Sequence, residues 1–150
     1  MDSSGIESKL SPADLGRLFT QQDAFMESLG VELIDIGEGT ATVSMCVQPQ
    51  HLNFNQTCHG GVIFSLADCA FGVSSNSHGI VAAGINAHIN YQAPAHLGET
   101  LIATSTEQSR SRKLATYSIE VSGENDKRIA SFTGTVYVLD KTHAVGKEES

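Results

Sequence analysis

The sequence predicts an α+β fold in which a curved antiparallel sheet wraps around one long central helix. Residues 60–75 form a long apolar helix opened by His59-Gly60-Gly61. Every later segment, at 80–91, 99–109, 114–121 and 128–139, shows period-two patterning or β-branched enrichment. Between Glu38 and Glu99 the one formally charged side chain is Asp68, so the middle of the chain must be covered on several sides. A single sheet of this size cannot cover such a helix completely, and self-association is the ordinary answer to the surplus apolar surface.

The elements follow in order. Residues 1–10 are polar. Ser11-Pro12-Ala13-Asp14 is a helix start, with Ser as N-cap, Pro in the first turn and Asp favourable to the dipole. The helix carries Leu15, Leu18, Phe19, Phe25, Met26 and Leu29, and Gly30 is placed to end it. Residues 31–36 alternate as a strand, Gly37-Glu38-Gly39 turns, and 40–47 alternates again, giving a hairpin. A polar loop over 49–58 holds Asn53, Asn55 and Gln56 and delivers the chain into the central helix, which ends near Asn76-Ser77-His78-Gly79. Among the later strands, turns fall at Ala93-Pro94, Arg110-Ser111 and Gly123-Glu124-Asn125-Asp126, and residues 140–150 return to a polar tail. Repeats, low-complexity tracts and linkers are absent, so the reading is one domain over 1–150 with its core at about 25–140.

At 150 residues, 40% hydrophobic and 17% charged, the composition is that of a soluble globular protein. A formal charge of −8 argues against general affinity for nucleic acid or an anionic membrane. The longest apolar runs fall short of the roughly 18 residues that span a bilayer. The first residues lack a signal-peptide pattern, and the expectation is a cytoplasmic protein. Cys46, Cys58 and Cys69 lack zinc spacing and suit free thiols in a reducing compartment. His78, His88 and His96 also lack metal-ligand spacing, and no metal is expected.

Asp68 is the residue to explain, because a lone carboxylate buried in an apolar helix is costly unless it is paired or does chemistry. The helix start supplies a partner group for such chemistry. Two glycines let a ligand approach the backbone closely, and the first turn leaves N–H groups at the positive end of the dipole. That donor suits a carbonyl oxygen that gains negative charge during acyl transfer. The combination Asn-x5-His-Gly-Gly-x6-Asp is far more specific than His-Gly-Gly alone.

The segment resembles the active-site region of hotdog-fold acyl-CoA thioesterases, in particular the phenylacetate-pathway (PaaI-type) branch. The residues that carry the resemblance are Leu52-Asn53, Cys58-His59-Gly60-Gly61, Phe64-Ser65-Leu66-Ala67-Asp68, Ala70-Phe71, Asn76-Ser77 with Gly79, and later Ile89-Asn90-Tyr91 and Pro94. It implies hydrolysis of an acyl-CoA, such as phenylacetyl-CoA or hydroxyphenylacetyl-CoA, to the free acid and coenzyme A. Gly60 would offer its N–H to the thioester carbonyl, and Asp68 would be nucleophile or general base. Asn53 would hold the water or orient the carboxylate, or simply cap a turn. His59 would order the loop and support the thioester end, and Gly61 would border the bound substrate. No cofactor is needed, since coenzyme A arrives with the substrate. Ala93 stands where many relatives carry Arg, so the phosphates are expected to meet Arg110, Arg112 and Lys113 instead. Phe54, Phe64, Phe71 and Tyr91 could line an aromatic or an aliphatic pocket. A medium- or long-chain fatty acyl-CoA thioesterase and a non-catalytic acyl-CoA-binding or sensing module stay open as alternatives.

Gly60 and Asp68 lie on one helix, roughly 12 Å apart along its axis. A reacting carbonyl must sit about 3 Å from both groups, so one copy of the helix cannot supply both. A two-fold dimer with antiparallel helices could pair Gly60 of one subunit with Asp68 of the other, as in hotdog dimers of this family. The monomer is then expected to be inactive, and the resemblance further implies pairing into a homotetramer.

Overall fold

The computed structural model describes residues 9–144. α1 (Pro12–Gln22) opens on a reciprocal capping box: the Asp14 N–H donates to the Ser11 hydroxyl at 3.1 Å and the Ser11 N–H to the Asp14 carboxylate at 3.2 Å. The single helix expected up to Gly30 is two helices. Asp23 leaves the helical region at φ −87° and ψ 91°, and its carboxylate accepts from the Met26 N–H at 2.9 Å, capping α2 (Ala24–Leu29). An aspartate side chain competes with the backbone for local donors, and here that bond breaks the helix. Gly30, at φ 75°, closes α2.

β1 (Glu32–Gly37) and β2 (Thr40–Cys46) form the expected hairpin. After the loop come α3 (Gly60–Asn76), β3 (Ile80–Tyr91), β4 (Thr100–Arg110), β5 (Leu114–Ser122) and β6 (Arg128–Thr142). Because β6 runs to Thr142, the polar tail expected from residue 140 begins later. The expected tails otherwise fall largely at 1–8 and 145–150, outside the described residues.

The strands form one antiparallel sheet in the order β1-β2-β4-β5-β6-β3. Alternate side chains of β4, β5 and β6, among them Leu101, Ile119 and Phe132, are buried on one face. α3 lies across that face and touches every strand. Phe71 shows how closely it approaches: its ring packs 5.6 Å from Phe132 and 5.8 Å from Tyr117. A Cβ on Gly134 of β6 would stand 2.6 Å from that ring, so the strand needs glycine where the helix presses on it. A curved antiparallel sheet packed against one long helix is the hotdog fold that the resemblance implies.

One buried carboxylate ties the loops at the start of α3's end of the sheet. Glu99 is 8% exposed, and its carboxylate accepts from the N–H groups of His96 at 3.1 Å and Glu124 at 3.0 Å. Burial alone would raise this carboxyl, but the two backbone donors, helped by Lys127 and His96, hold it below the usual range. Glu99→Ala leaves both donors unpaired and is expected to destabilise the fold by about 2–3 kcal/mol at neutral pH. The stability contributed by a depressed carboxyl is lost as pH falls through its folded value, so the two proteins converge in acid. Urea melts at pH 7 and pH 3 check this, and equal midpoints at pH 7 would refute it.

Candidate active site

Asn53 builds the loop that leads into α3. Its Oδ1 accepts from the N–H groups of Asn55 at 2.8 Å and Thr57 at 3.2 Å, while its own N–H donates to the Thr57 carbonyl at 2.8 Å. This is turn-capping geometry, and Nδ2 stays within the loop as well, donating to the Thr57 hydroxyl at 3.1 Å. Gln56 in the same loop sits at φ 63°, a conformation glycine adopts more readily.

His59 is the N-cap of α3. Its Nδ1 accepts from the Gly61 N–H at 2.9 Å, and its carbonyl accepts from Val62 at 2.9 Å and Ile63 at 3.2 Å. Its own N–H donates to the His51 carbonyl at 2.7 Å, which anchors the helix start to the loop. These bonds use the first-turn donors from Gly61 onward. The Gly60 N–H makes no hydrogen bond among the described residues and stands free at the positive end of the helix. The Tyr91 hydroxyl donates to the Gly60 carbonyl at 3.0 Å, so β3 braces the same residue. A Cβ on Gly60 would lie 3.3 Å from the Tyr91 ring, and one on Gly61 would lie 3.1 Å from His59 Nδ1.

Asp68 is not buried within one chain, which corrects the sequence expectation. The sheet covers one side of α3, and Asp68 shares the outward side with the exposed Gly61 and Gly72. It lies in a groove of about 490 Å³ between α3 and the α1–α2 pair, whose walls include Phe19, Asp23, Phe25 and Gly72. No cation pairs with it among the described residues. Desolvation in the groove, and then the charge of Asp23, push its carboxyl above the usual carboxylate range. The break at Asp23 therefore brings a second acid beside the first. Reading 11–29 as one helix hid that, although an Asp at a helix centre was the available sign.

The other expected site residues lie elsewhere. Arg110, Arg112 and Lys113 form the β4–β5 turn near the C-terminal end of α3, where His78 just beyond the helix pairs with Glu107 at 2.9 Å. Arg110 reaches the same Glu107 at 3.6 Å and Lys113 reaches Asp140 at 3.2 Å, while Arg112 is exposed. Within one chain this cluster is at the opposite end of α3 from Gly60. Within one chain the four aromatics named for a substrate pocket have different surroundings. Phe71 is core, and Phe64 packs 5.3 Å from Phe132, whereas Phe54 is 93% exposed and Tyr91 52%. Helical periodicity alone does not say which aromatic faces the sheet.

The three cysteines are free. Burial and then Glu99 push the Cys58 thiol up to about 11, so at neutral pH it is protonated and a poor nucleophile. Burial, then Asp23 and Asp68, push Cys69 up to about 12. Among the described residues, no group of three or more His, Cys, Asp or Glu is placed to hold a metal ion, and no helix is long and apolar enough to cross a membrane.

The family model described as the thioesterase superfamily matches residues 55–130, from the loop before α3 into β6. The acyl-coenzyme A thioesterase PaaI of Escherichia coli is 37% identical over 126 residues, which cover 84% of this chain and 86% of that protein. This chain belongs to the thioesterase superfamily. The solved structure of the PaaI protein from the phenylacetic acid degradation operon of E. coli superposes with a TM-score of 0.86 at 34% identity, covering 87% of this chain and 95% of that one. A mutant form of the phenylacetic acid degradation protein PaaI of Thermus thermophilus gives a TM-score of 0.76 at 39% identity, covering 78% and 100%. The matched stretch contains Gly60 and Asp68, the free donor and the unpaired carboxylate of α3. A free N–H and an unpaired carboxylate are groups of the kind that can serve acyl transfer, the one toward a carbonyl oxygen and the other toward a water.

Proposed function

We propose that this superfamily member hydrolyses acyl-CoA thioesters to the free acid and coenzyme A, with phenylacetyl- or hydroxyphenylacetyl-CoA preferred. The observation that carries the reading is the free Gly60 N–H and the unpaired Asp68 on one helix of a thioesterase fold. Asp68 takes a proton from water as the oxygen bonds to the thioester carbon. The electron pair displaced onto the carbonyl oxygen is held by the Gly60 N–H. Collapse then breaks the C–S bond, and the coenzyme A sulfur takes the proton from Asp68. His59 and Asn53 position the donor and the loop, and Gly61 keeps the approach free of a side chain. Cofactor and metal have no role in this scheme. The arylacetyl preference rests on the PaaI proteins of E. coli and T. thermophilus, both named for phenylacetic acid degradation.

The working unit in this proposal is a dimer. β3 is an edge strand, 12 residues long, without Asp, Glu, Lys or Arg, and Ile85 on it is 58% exposed. A long uncharged edge invites pairing with another strand. Pairing β3 with its copy about a two-fold axis normal to the sheet sets the two α3 helices antiparallel. Gly60 of one subunit is thereby brought toward Asp68 of the other. The Arg110–Lys113 turn then falls on the same side of the joined sheet as the partner's helix start, where it would meet the phosphates of coenzyme A. On resemblance alone the proposal extends to a tetramer of two such dimers, in the cytoplasm.

Thiol release from a panel of aromatic and straight-chain acyl-CoAs tests the reading. The expected result is release with kcat/KM highest for the arylacetyl members. A ranking led by long straight chains would make it a fatty acyl-CoA thioesterase. Tight binding without release would make it a non-catalytic acyl-CoA-binding module.

A further inference from the structure

We infer that the groove between α3 and the α1–α2 pair receives the acyl group, and that Gly72 sets how large that group can be. The inference rests on the thioesterase reading and goes beyond it by assigning the acyl site within a single chain. Asp68, Gly72 and Asn76 follow one another at four-residue steps, so they share a helix face, and all three line the groove. From the reacting carboxylate the path over Gly72 to Asn76 is roughly 12 Å long.

Gly72 is the informative residue. Glycine in the middle of a helix weakens it, so its presence calls for a reason. Gly134 has one in the Phe71 ring that fills its Cβ position, but a Cβ on Gly72 would meet nothing within 4 Å. The missing side chain keeps space open beside Asp68. Leu18, Phe25 and Val73 make the walls of that space apolar. At the Asn76 end stands His143, whose ring lies 5.0 Å edge-on to Phe19 and whose Nε2 is 2.8 Å from Asn76 Oδ1.

Charge decides which end of the substrate enters. The groove contains Asp23 and Asp68 and neither Lys nor Arg, so it repels the phosphates of coenzyme A and admits the uncharged acyl end. A volume of about 490 Å³ is within the range of small-ligand pockets and has room for an arylacetyl group.

The test compares wild type, Gly72→Ala and Gly72→Leu on acetyl-, hexanoyl-, phenylacetyl- and decanoyl-CoA, with light scattering on each protein. Both replacements favour the helix, and a Cβ at this position meets open space. Gly72→Leu is expected to lower the ratio of kcat/KM for phenylacetyl-CoA over acetyl-CoA by about tenfold or more, with Gly72→Ala between it and wild type. Parallel profiles across the panel would overturn the inference while leaving the thioesterase reading in place. A changed assembly mass in Gly72→Leu would also overturn it, because the glycine would then serve packing between copies. A wild type that releases no thiol from any member removes both the reading and the inference.

Discussion

Asp68→Asn is expected to cut acyl-CoA turnover by roughly 10²–10⁴-fold, the usual worth of a positioned base, while the protein stays folded and still binds substrate. Asparagine keeps the shape of the side chain and cannot take a proton from water. The raised carboxyl adds a pH signature. In wild type, kcat/KM should rise with pH through a value above that of an ordinary aspartate, and the variant should lack that limb. Stability should move the other way. A carboxyl whose folded pKa lies above its unfolded one is destabilising when ionised, and that cost vanishes once pH falls below the unfolded value near ~3.9. At neutral pH the variant should therefore be at least as stable as wild type, with the difference shrinking in acid. Full turnover in Asp68→Asn would end the proposed chemistry. Lost turnover accompanied by a lowered melting temperature would instead mark Asp68 as structural.

Much of this was legible in the sequence because the decisive signals were local. The Ser11 capping box, the glycines at both ends of the β1–β2 turn and the charge-free run through α3 each act over a few residues, and they place the helix and strands. Gly60 and Asp68 were legible for the same reason, since helix starts and lone acids announce themselves. What the sequence hid were distances between elements. Asp68 reads as buried because its neighbours are apolar, but α3 has the sheet on one side only. Asp23 reads as a mid-helix residue until its cap to Met26 turns α2 toward the groove. Arg110 and Lys113 read as free cations for phosphate, and the chain supplies Glu107 and Asp140 beside them. The Tyr91 bond to Gly60 joins residues from different elements, and no spacing rule reports it.

Gly60→Pro is expected to lower kcat by roughly 10²–10³-fold, the usual loss when one oxyanion donor is removed. The substitution takes away the N–H while suiting the backbone. Proline is favoured at the first helical position, and His59 before it already has the extended ψ of 135° that a following proline requires. The new Cβ crowds the Tyr91 ring at 3.3 Å, so Gly60→Ala is the control: it adds the same carbon and keeps the donor. Alanine should retain most of the activity that proline loses, and an equal loss in both would assign the effect to Tyr91. The pair of inactive variants then addresses where the site is completed. In co-expressed Asp68→Asn and Gly60→Pro subunits, a mixed dimer holds one site with both groups intact and one with neither. Random pairing should return activity to about a quarter of wild type if the site is shared across a two-fold axis. If each subunit carries its own complete site, mixing restores nothing, because every site lacks one of the two groups. Recovery on mixing would thus turn the roughly 12 Å that separates Gly60 from Asp68 along α3 into the reason the enzyme needs two chains.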